Sequence, residues 1–185
     1  MADWHFGYGL PIGGVIATDI NHGENGGAIS PGAVGFDINC GVRVLALEAT
    51  VDDIPNIKKL GGRMAGRIPA GASGKGGLDI DMPQIRALTE GGAQAAVEMG
   101  IGFDEDLPSL ESNGLLEVED ATLSNRALER GLRALGTLGS GNHFLELQSV
   151  EKLVDEETAK HWGLYEGQLL AMIHSGSRGL GHQVC

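Results

Sequence analysis

Three short glycine-rich segments constrain this chain more than any other feature, because each sets residues able to bind ions or phosphate into a turn. They are Gly35-Phe36-Asp37-Ile38-Asn39-Cys40-Gly41-Val42, Leu138-Gly139-Ser140-Gly141-Asn142-His143-Phe144-Leu145-Glu146 and His174-Ser175-Gly176-Ser177-Arg178-Gly179-Leu180-Gly181-His182. Glycine bends a chain sharply and lets backbone come close to a ligand. Its 31 occurrences in 185 residues gather in such turns rather than in one low-complexity tract. Short elements joined by tight corners follow, with the chemistry at the corners.

Between the corners, Ile12–Ala17, Val42–Glu48, Phe144–Val150 and Gln168–His174 are alternating or β-branched runs and are expected as strands. Pro83–Met99 carries Ile85, Leu88, Ala95, Ala96 and Met99 near helical spacing behind a capping Asp81, with Gly91-Gly92 weakening its middle. Ser124 can cap a second helix with Ala127, Leu128, Leu132 and Leu135 on one side and Gly136 at its end. Asp155-Glu156-Glu157 opens a third, which Gly163 closes. No repeat and no Pro- or Ser-rich linker divides the chain, so one domain over residues 1–185 is expected, of mixed α/β (α+β) class. The irregular order of elements does not point to a doubly wound parallel sheet.

The first segment holds a hard carboxylate, Asp37, three residues before a soft thiol, Cys40, and a turn can aim both at one ion. Cys40 must ionise to bind metal, and a bound cation supplies the field that ionises it. Taken alone, a cysteine beside a strand is more often a small buried hydrophobe. The second segment points Asn142 and His143 at one place, but it lacks the Gly-Lys-Ser/Thr of a P-loop and the dinucleotide fingerprint. A phosphate turn and a plain turn with a satisfied histidine explain it equally well. The third joins the His174 imidazole, the Ser175 and Ser177 hydroxyls and the Arg178 guanidinium within five residues. Phosphate is their natural ligand: Arg178 can grip it bidentately while the hydroxyls and amides complete a cradle. Asp37, Cys40, His143 and His174 thus form a candidate divalent-metal site for phosphate chemistry. His5 and His22 remain open between ligand, proton donor and surface residue, as does His182, and His161 fits charge compensation at a helix end.

Two cysteines, Cys40 and Cys185, are too few for a disulfide framework. Neither a ~20-residue apolar run nor a secretory leader is visible, so a cytoplasmic protein without membrane segments is expected. The net charge of −12 argues mildly against a general nucleic-acid binder, yet the charge is uneven. Ile54 to Leu78 holds Lys58, Lys59, Arg63, Arg67 and Lys75 and no acid, whereas Glu98 to Asp120 holds eight acids and no base. A local basic surface can therefore coexist with an acidic total, and Asp104–Asp120 reads as a solvated loop.

With these residues in place, the chain resembles the RtcB family of RNA-splicing ligases from about Trp4 to Cys185. The resemblance is carried by Asp3-Trp4-His5-Phe6-Gly7-Tyr8-Gly9-Leu10-Pro11-Ile12-Gly13-Gly14, by Ser30 through Val42, by Gly136 through Phe144 and by Ile173 through Gly181. It implies two ions, usually Mn²⁺, with Cys40 bridging both, Asp37 and His143 on one and His174 on the other. Thiolate and imidazole would suit Zn²⁺ at least as well. It further implies GTP as cofactor near Asn142, His143, Phe144, Leu145 and Glu146. The implied substrates are RNA 3′-phosphate or 2′,3′-cyclic phosphate ends joined to 5′-hydroxyl ends, with GMP passing through a histidine, and the implied partners include an archease-type activating protein.

The family pattern continues beyond the segment that His174 opens. The GMP-accepting histidine is accordingly expected beyond Cys185, no catalytic residue is assigned within the chain, and the 185 residues are expected to be part of a ligase that does not join RNA alone. Two other readings compete. One is a metal-dependent phosphoesterase lacking the guanylylation step. The other is a non-catalytic, truncated scaffold that binds RNA or a partner through Lys58–Lys75.

Overall fold

Three of the four expected strands pair into one sheet. The computed structural model describes residues 4–7, 10–24, 26–72, 77–116 and 122–185. Its strands are β1 (Gly41–Thr50), β2 (Phe144–Ser149) and β3 (Gln168–Ser175), in the order β1-β3-β2, with β3 antiparallel to both neighbours. Gly41 lies opposite Ser175, Val42 opposite His174, and Phe144 opposite the same His174. The beginnings of β1 and β2 and the end of β3 therefore meet at one end of the sheet. Side chains alternate across the pleat, so Val42, Phe144, Glu146, Met172 and His174 share one face and Leu145, Leu147, Ala171 and Ile173 the other.

Ile12–Ala17 forms no strand. Ile12 makes only an isolated bridge, its N–H donating to the His5 carbonyl at 3.0 Å, and Gly13 turns the chain at φ 73°. Val15 beyond it is 93% exposed. A β-branched run without a partner edge has nothing to pack its pleated surface against, and propensity alone does not hold it extended in a sheet.

The helices are α1 (Pro31–Val34), α2 (Ile57–Arg67), α3 (Met82–Glu98), α4 (Asn125–Ala134), α5 (Glu156–His161) and α6 (Arg178–Val184). Asp81 caps α3 reciprocally: its carboxylate accepts the Gln84 N–H and the Gln84 side chain accepts the Asp81 N–H, both at 2.9 Å. Gly92 breaks α3 at φ 60°, ψ −146°, and a Cβ there would run into the Gly114 carbonyl oxygen. Ser124 Oγ accepts the Ala127 N–H at 3.2 Å and starts α4. Asp155 caps α5 through the Thr158 N–H, and these contacts hold its carboxyl below the usual carboxylate range. Gly163, at φ 68°, follows that helix.

The core sits where α3, α4 and α6 meet. Ile85 and Leu128 are 1% and 0% exposed, and a Cβ on Gly131 would lie 2.6 Å from Ile85 Cδ1 and 3.0 Å from Leu180 Cδ1. Helices α2 and α6 stand where the sequence reading places no element. Gly179 and Gly181 depress helix propensity in the second, where packing against α4 outweighs so weak a preference; Gly61, Gly62 and Gly66 depress it in the first, which buries no residue and starts at the Asn56 side chain accepting the Lys59 N–H at 2.9 Å. The acidic stretch is two short 3₁₀ turns, Asp104–Ser109 and Glu111–Gly114. Glu117, Glu119 and Asp120 of that stretch lie outside the described residues, as do Lys75 of the basic one and Asp3, Tyr8 and Gly9 of the first family segment. Among the described residues no helix is long and apolar enough to cross a membrane.

Because Leu128 is wholly enclosed between α3 and α6, Leu128→Ala is expected to lower the unfolding free energy by about 2–5 kcal/mol. Loss of the Ser124 cap in Ser124→Ala should cost about 1 kcal/mol. Urea denaturation followed by far-UV circular dichroism checks both; a loss under ~1 kcal/mol for Leu128→Ala would show that this junction is not the core.

Candidate metal centre

Cys40 immediately precedes β1, His143 immediately precedes β2, and His174 is the penultimate residue of β3. The antiparallel register brings these three places to the same end of the sheet. The Cys40 thiol faces both imidazoles: Sγ lies 3.3 Å from His143 Nε2 and 3.2 Å from His174 Nε2. These three ligand atoms all fall within 4.8 Å of one another. Metal–ligand bonds of about 2.0–2.3 Å set neighbouring donor atoms roughly 3–4 Å apart, so the spacing suits a shared coordination shell.

The proton on His143 is assigned by its contacts. Nδ1 lies 2.9 Å from the Leu138 carbonyl oxygen, which can only accept, so Nδ1 carries hydrogen and donates it. Nε2 is then turned toward Asp37 Oδ2 at 2.8 Å and toward Cys40 Sγ. A ring nitrogen, a carboxylate and a sulfur aimed at one point are held together by something positive, either a proton on Nε2 or a cation. A divalent cation satisfies all three groups, and the His143 side chain is only 3% exposed. His174, 1% exposed, packs its ring edge-to-face against Phe144 at 5.4 Å between centroids and lies 5.3 Å from the His143 ring.

Asp37 is held as firmly as the histidines. The Cys40 N–H donates to the Asp37 carbonyl at 2.9 Å, closing a β-turn whose third residue, Asn39, adopts φ 61°. The Asp37 carboxylate accepts the Arg178 N–H at 2.6 Å and the Ser177 hydroxyl at 3.4 Å. Arg178 adopts φ 54° to present that N–H, an unusual conformation for a residue with a side chain. Gly176 lies flush against the carboxylate, where a Cβ would collide with the Asp37 carboxylate oxygens.

The remaining residues singled out by the sequence divide. Ser175 Oγ donates to the Leu138 carbonyl at 3.0 Å, so that carbonyl braces both Ser175 and His143. The Arg178 guanidinium donates to the Gly71 carbonyl at 3.4 Å, and its Nε has no hydrogen-bond partner among the described residues. Asn142 reaches within 3.9 Å of Cys40 Sγ. Phe144 and Glu146 share the sheet face of His174, whereas the Leu145 side chain points to the opposite face, lining an apolar cavity with Leu147 and α2. His182 is exposed and, with Arg130, Arg133 and Arg178, lines a cleft of about 950 Å³ beside α4. His5, His22 and His161 are exposed and away from this cluster. Leu138, Gly139 and Gly176 are the supports that sequence reasoning did not assign, and their signal was present only as the glycines flanking each ligand.

The family described as tRNA-splicing ligase RtcB matches residues 1–185. The chain is 48% identical over 186 residues to the tRNA-splicing ligase RtcB of Thermococcus kodakarensis, covering all of this chain and 38% of that protein. It is 48% identical to the corresponding ligase of Archaeoglobus fulgidus, again over all of this chain and 38% of the relative. It is 47% identical to the RNA-splicing ligase RtcB of Mycobacterium tuberculosis, of which it covers 43%. The chain thus spans about two fifths of the length of these curated relatives.

Because Gly176 makes room for the Asp37 carboxylate, Gly176→Ala is expected to displace that group and weaken Mn²⁺ or Co²⁺ binding by about 10–100-fold, the usual effect of disturbing a ligand's support. Gly61→Ala, whose added methyl meets nothing within 4 Å, serves as control and should bind as wild type. Isothermal titration with either ion decides; equal affinities would remove Asp37 from the site.

Proposed function

The chain belongs to the RtcB family of tRNA-splicing ligases, and from that premise we propose that it supplies the metal-holding part of an RNA ligase dependent on GTP and a divalent metal. The reaction joins an RNA 3′-phosphate or 2′,3′-cyclic phosphate end to a 5′-hydroxyl end. What chiefly supports this reading is the convergence of Cys40 Sγ, His143 Nε2 and His174 Nε2 within 4.8 Å. In this reading Asp37, Cys40, His143 and His174 would hold Mn²⁺, with Cys40 contributing to both proposed ions. When bound, such ions supply positive charge to phosphoryl oxygens as a leaving group departs.

The protein's own residues prepare for that chemistry. The Leu138 carbonyl accepts the His143 Nδ1–H and so turns Nε2 toward Asp37 and Cys40. The Arg178 N–H and Ser177 hydroxyl orient Asp37. Asn142, Phe144, Leu145 and Glu146 are assigned to the guanine nucleotide's surroundings, with Leu145 able to contribute through its backbone alone because its side chain faces the α2 cavity. Ser175, Ser177 and Arg178 are assigned to phosphate and RNA, and no histidine of this chain is assigned to accept GMP. A reducing compartment would keep Cys40 reduced and able to bind metal, and the cytoplasm is the proposed location. An archease-type protein is its proposed activator.

In the full-length protein, RNAs bearing 3′-phosphate and 5′-hydroxyl ends should be joined only when GTP and Mn²⁺ are both present. Cys40→Ala should reduce joining more than about a hundredfold, beyond the usual cost of losing a mere supporting residue. Labelled GTP should leave GMP attached to the protein through a phosphoramidate. Phosphate release without joining, and without that adduct, would turn the assignment to a metal-dependent phosphoesterase.

A further inference from the structure

Helix α2 breaks a local rule without a packing reason. Three of its eleven residues, Gly61, Gly62 and Gly66, are glycines, each costing a helix interior about 1 kcal/mol relative to alanine. A Cβ built on any of them meets nothing within 4 Å, so no neighbouring element demands their smallness. Sequence choices that sacrifice local stability without a structural return point to a surface feature kept for another purpose.

The surface that Gly62 and Gly66 line is basic, whereas Gly61 faces the apolar cavity on the other side. Lys59, Arg63 and Arg67 follow one another at four-residue intervals, which places them along one side of the helix about 6 Å apart in rise. On the helical wheel Gly62 and Gly66 fall beside this row, leaving a shallow furrow flanked by cations. The opposite side, with Ile57, Met64 and Ile68, lines an apolar cavity of about 450 Å³ shared with Leu138, Leu145 and Leu147. That packing turns the row outward: Lys58, Lys59, Arg63 and Arg67 are all exposed, and among the described residues none makes an ion pair. In a chain of net charge −12, a sequence run from Ile54 to Leu78 without a single acid is a local exception.

The strip leads to the metal centre. Just past Arg67, the Pro69 carbonyl accepts the Leu138 N–H at 2.8 Å and the Gly71 N–H donates to the Gly139 carbonyl at 2.7 Å. Leu138 is the residue whose carbonyl positions His143, and Gly71 is the residue whose carbonyl receives Arg178. We propose that the Lys59–Arg63–Arg67 row and its glycine furrow form a docking strip for the phosphate backbone of single-stranded RNA, delivering a strand end toward the metal centre. The proposal rests on the RNA-ligase reading above. The occupant is RNA rather than an acidic protein segment because the row itself offers cations and bare backbone, while the exposed Ile57 lies on the opposite side of the helix, toward the apolar cavity. Polyanion backbones bind through cations alone, whereas protein interfaces draw their affinity from buried anchors.

The test uses the full-length protein, a fluorescein-labelled single-stranded RNA with a 5′-hydroxyl, and anisotropy titrations over a salt series. Replacing all three cations (Lys59→Gln, Arg63→Gln, Arg67→Gln) should weaken binding about tenfold or more at low salt. The slope of log K against log salt should fall by about 2, at ~0.7 per lost phosphate contact. Gly66→Leu, which keeps every charge and favours the helix, should also weaken binding by filling the furrow. Unchanged RNA affinity and slope in the triple variant overturn the strip, as does a poly-glutamate peptide bound more tightly than the RNA. If the wild type joins RNA ends while the triple variant binds RNA normally, the strip fails and the ligase reading stands. Strip-dependent RNA binding in a protein that joins nothing would support the strip and sink the ligase reading.

Discussion

The register of β3 against its two neighbours governs everything else in the site. Antiparallel pairing sets Val42 and Phe144 on either side of His174, and the residues just before those strands, Cys40 and His143, are brought to the same edge. A slip of one residue in either pairing would turn that strand's side chains to the other face of the sheet. The helices serve this arrangement: the α3–α4–α6 junction anchors the turn after β3, and α6 delivers the Arg178 N–H to Asp37. Stability and chemistry are thus joined at one point, since the packing that buries Ile85 and Leu128 also fixes the segment that orients a carboxylate.

Around the four ligand side chains lies a shell made mostly of backbone. The Leu138 carbonyl, the Arg178 N–H and the close approaches at Gly139 and Gly176 do what larger polar side chains do in other sites. A Cβ at Gly139 would lie 2.5 Å from both His143 Nδ1 and the Arg178 guanidinium carbon. The glycine-rich segments are therefore tightly filled rather than loose, and their flexibility is spent in allowing close approach. The same residue type has the opposite consequence on α2, where glycines open space instead of being pressed into it.

Much of this was legible in the chain because it is local. The β1, β2 and β3 runs alternate over a few residues, and Asp81, Ser124 and Asp155 announce helices with side chains that reach their own next turn. The weakness of Gly91-Gly92 was legible too, and α3 does break there. Helix α6 was hidden because its stabilisation comes from α4, distant in sequence, and both it and α2 were hidden because their own glycines speak against them. Ile12–Ala17 misled for the converse reason: its residues favour a strand, but no edge is present to receive it. At the site, Asp37 and Cys40 could be paired by proximity. Cys40, His143 and His174 could be grouped by their ligand chemistry and glycine-rich settings, but no spacing rule links residues so far apart, and only family resemblance spoke for their meeting at one ion. The direction of the Leu145 side chain, and the pairing of Ser175 with a carbonyl, depended on register.

The Cys40 contacts span 103 and 134 positions of the chain. Closing loops of that length carries a large entropic cost that grows only slowly with length, and contacts of such separation form late and slow a folding reaction. The coordinating edge therefore does not exist, even in part, until both outer strands have docked on β3. An ion that binds only the closed arrangement acts as a thermodynamic latch on that last step, drawing the population toward the native chain as its concentration rises. For such an ion, supply would set how much of the protein is folded.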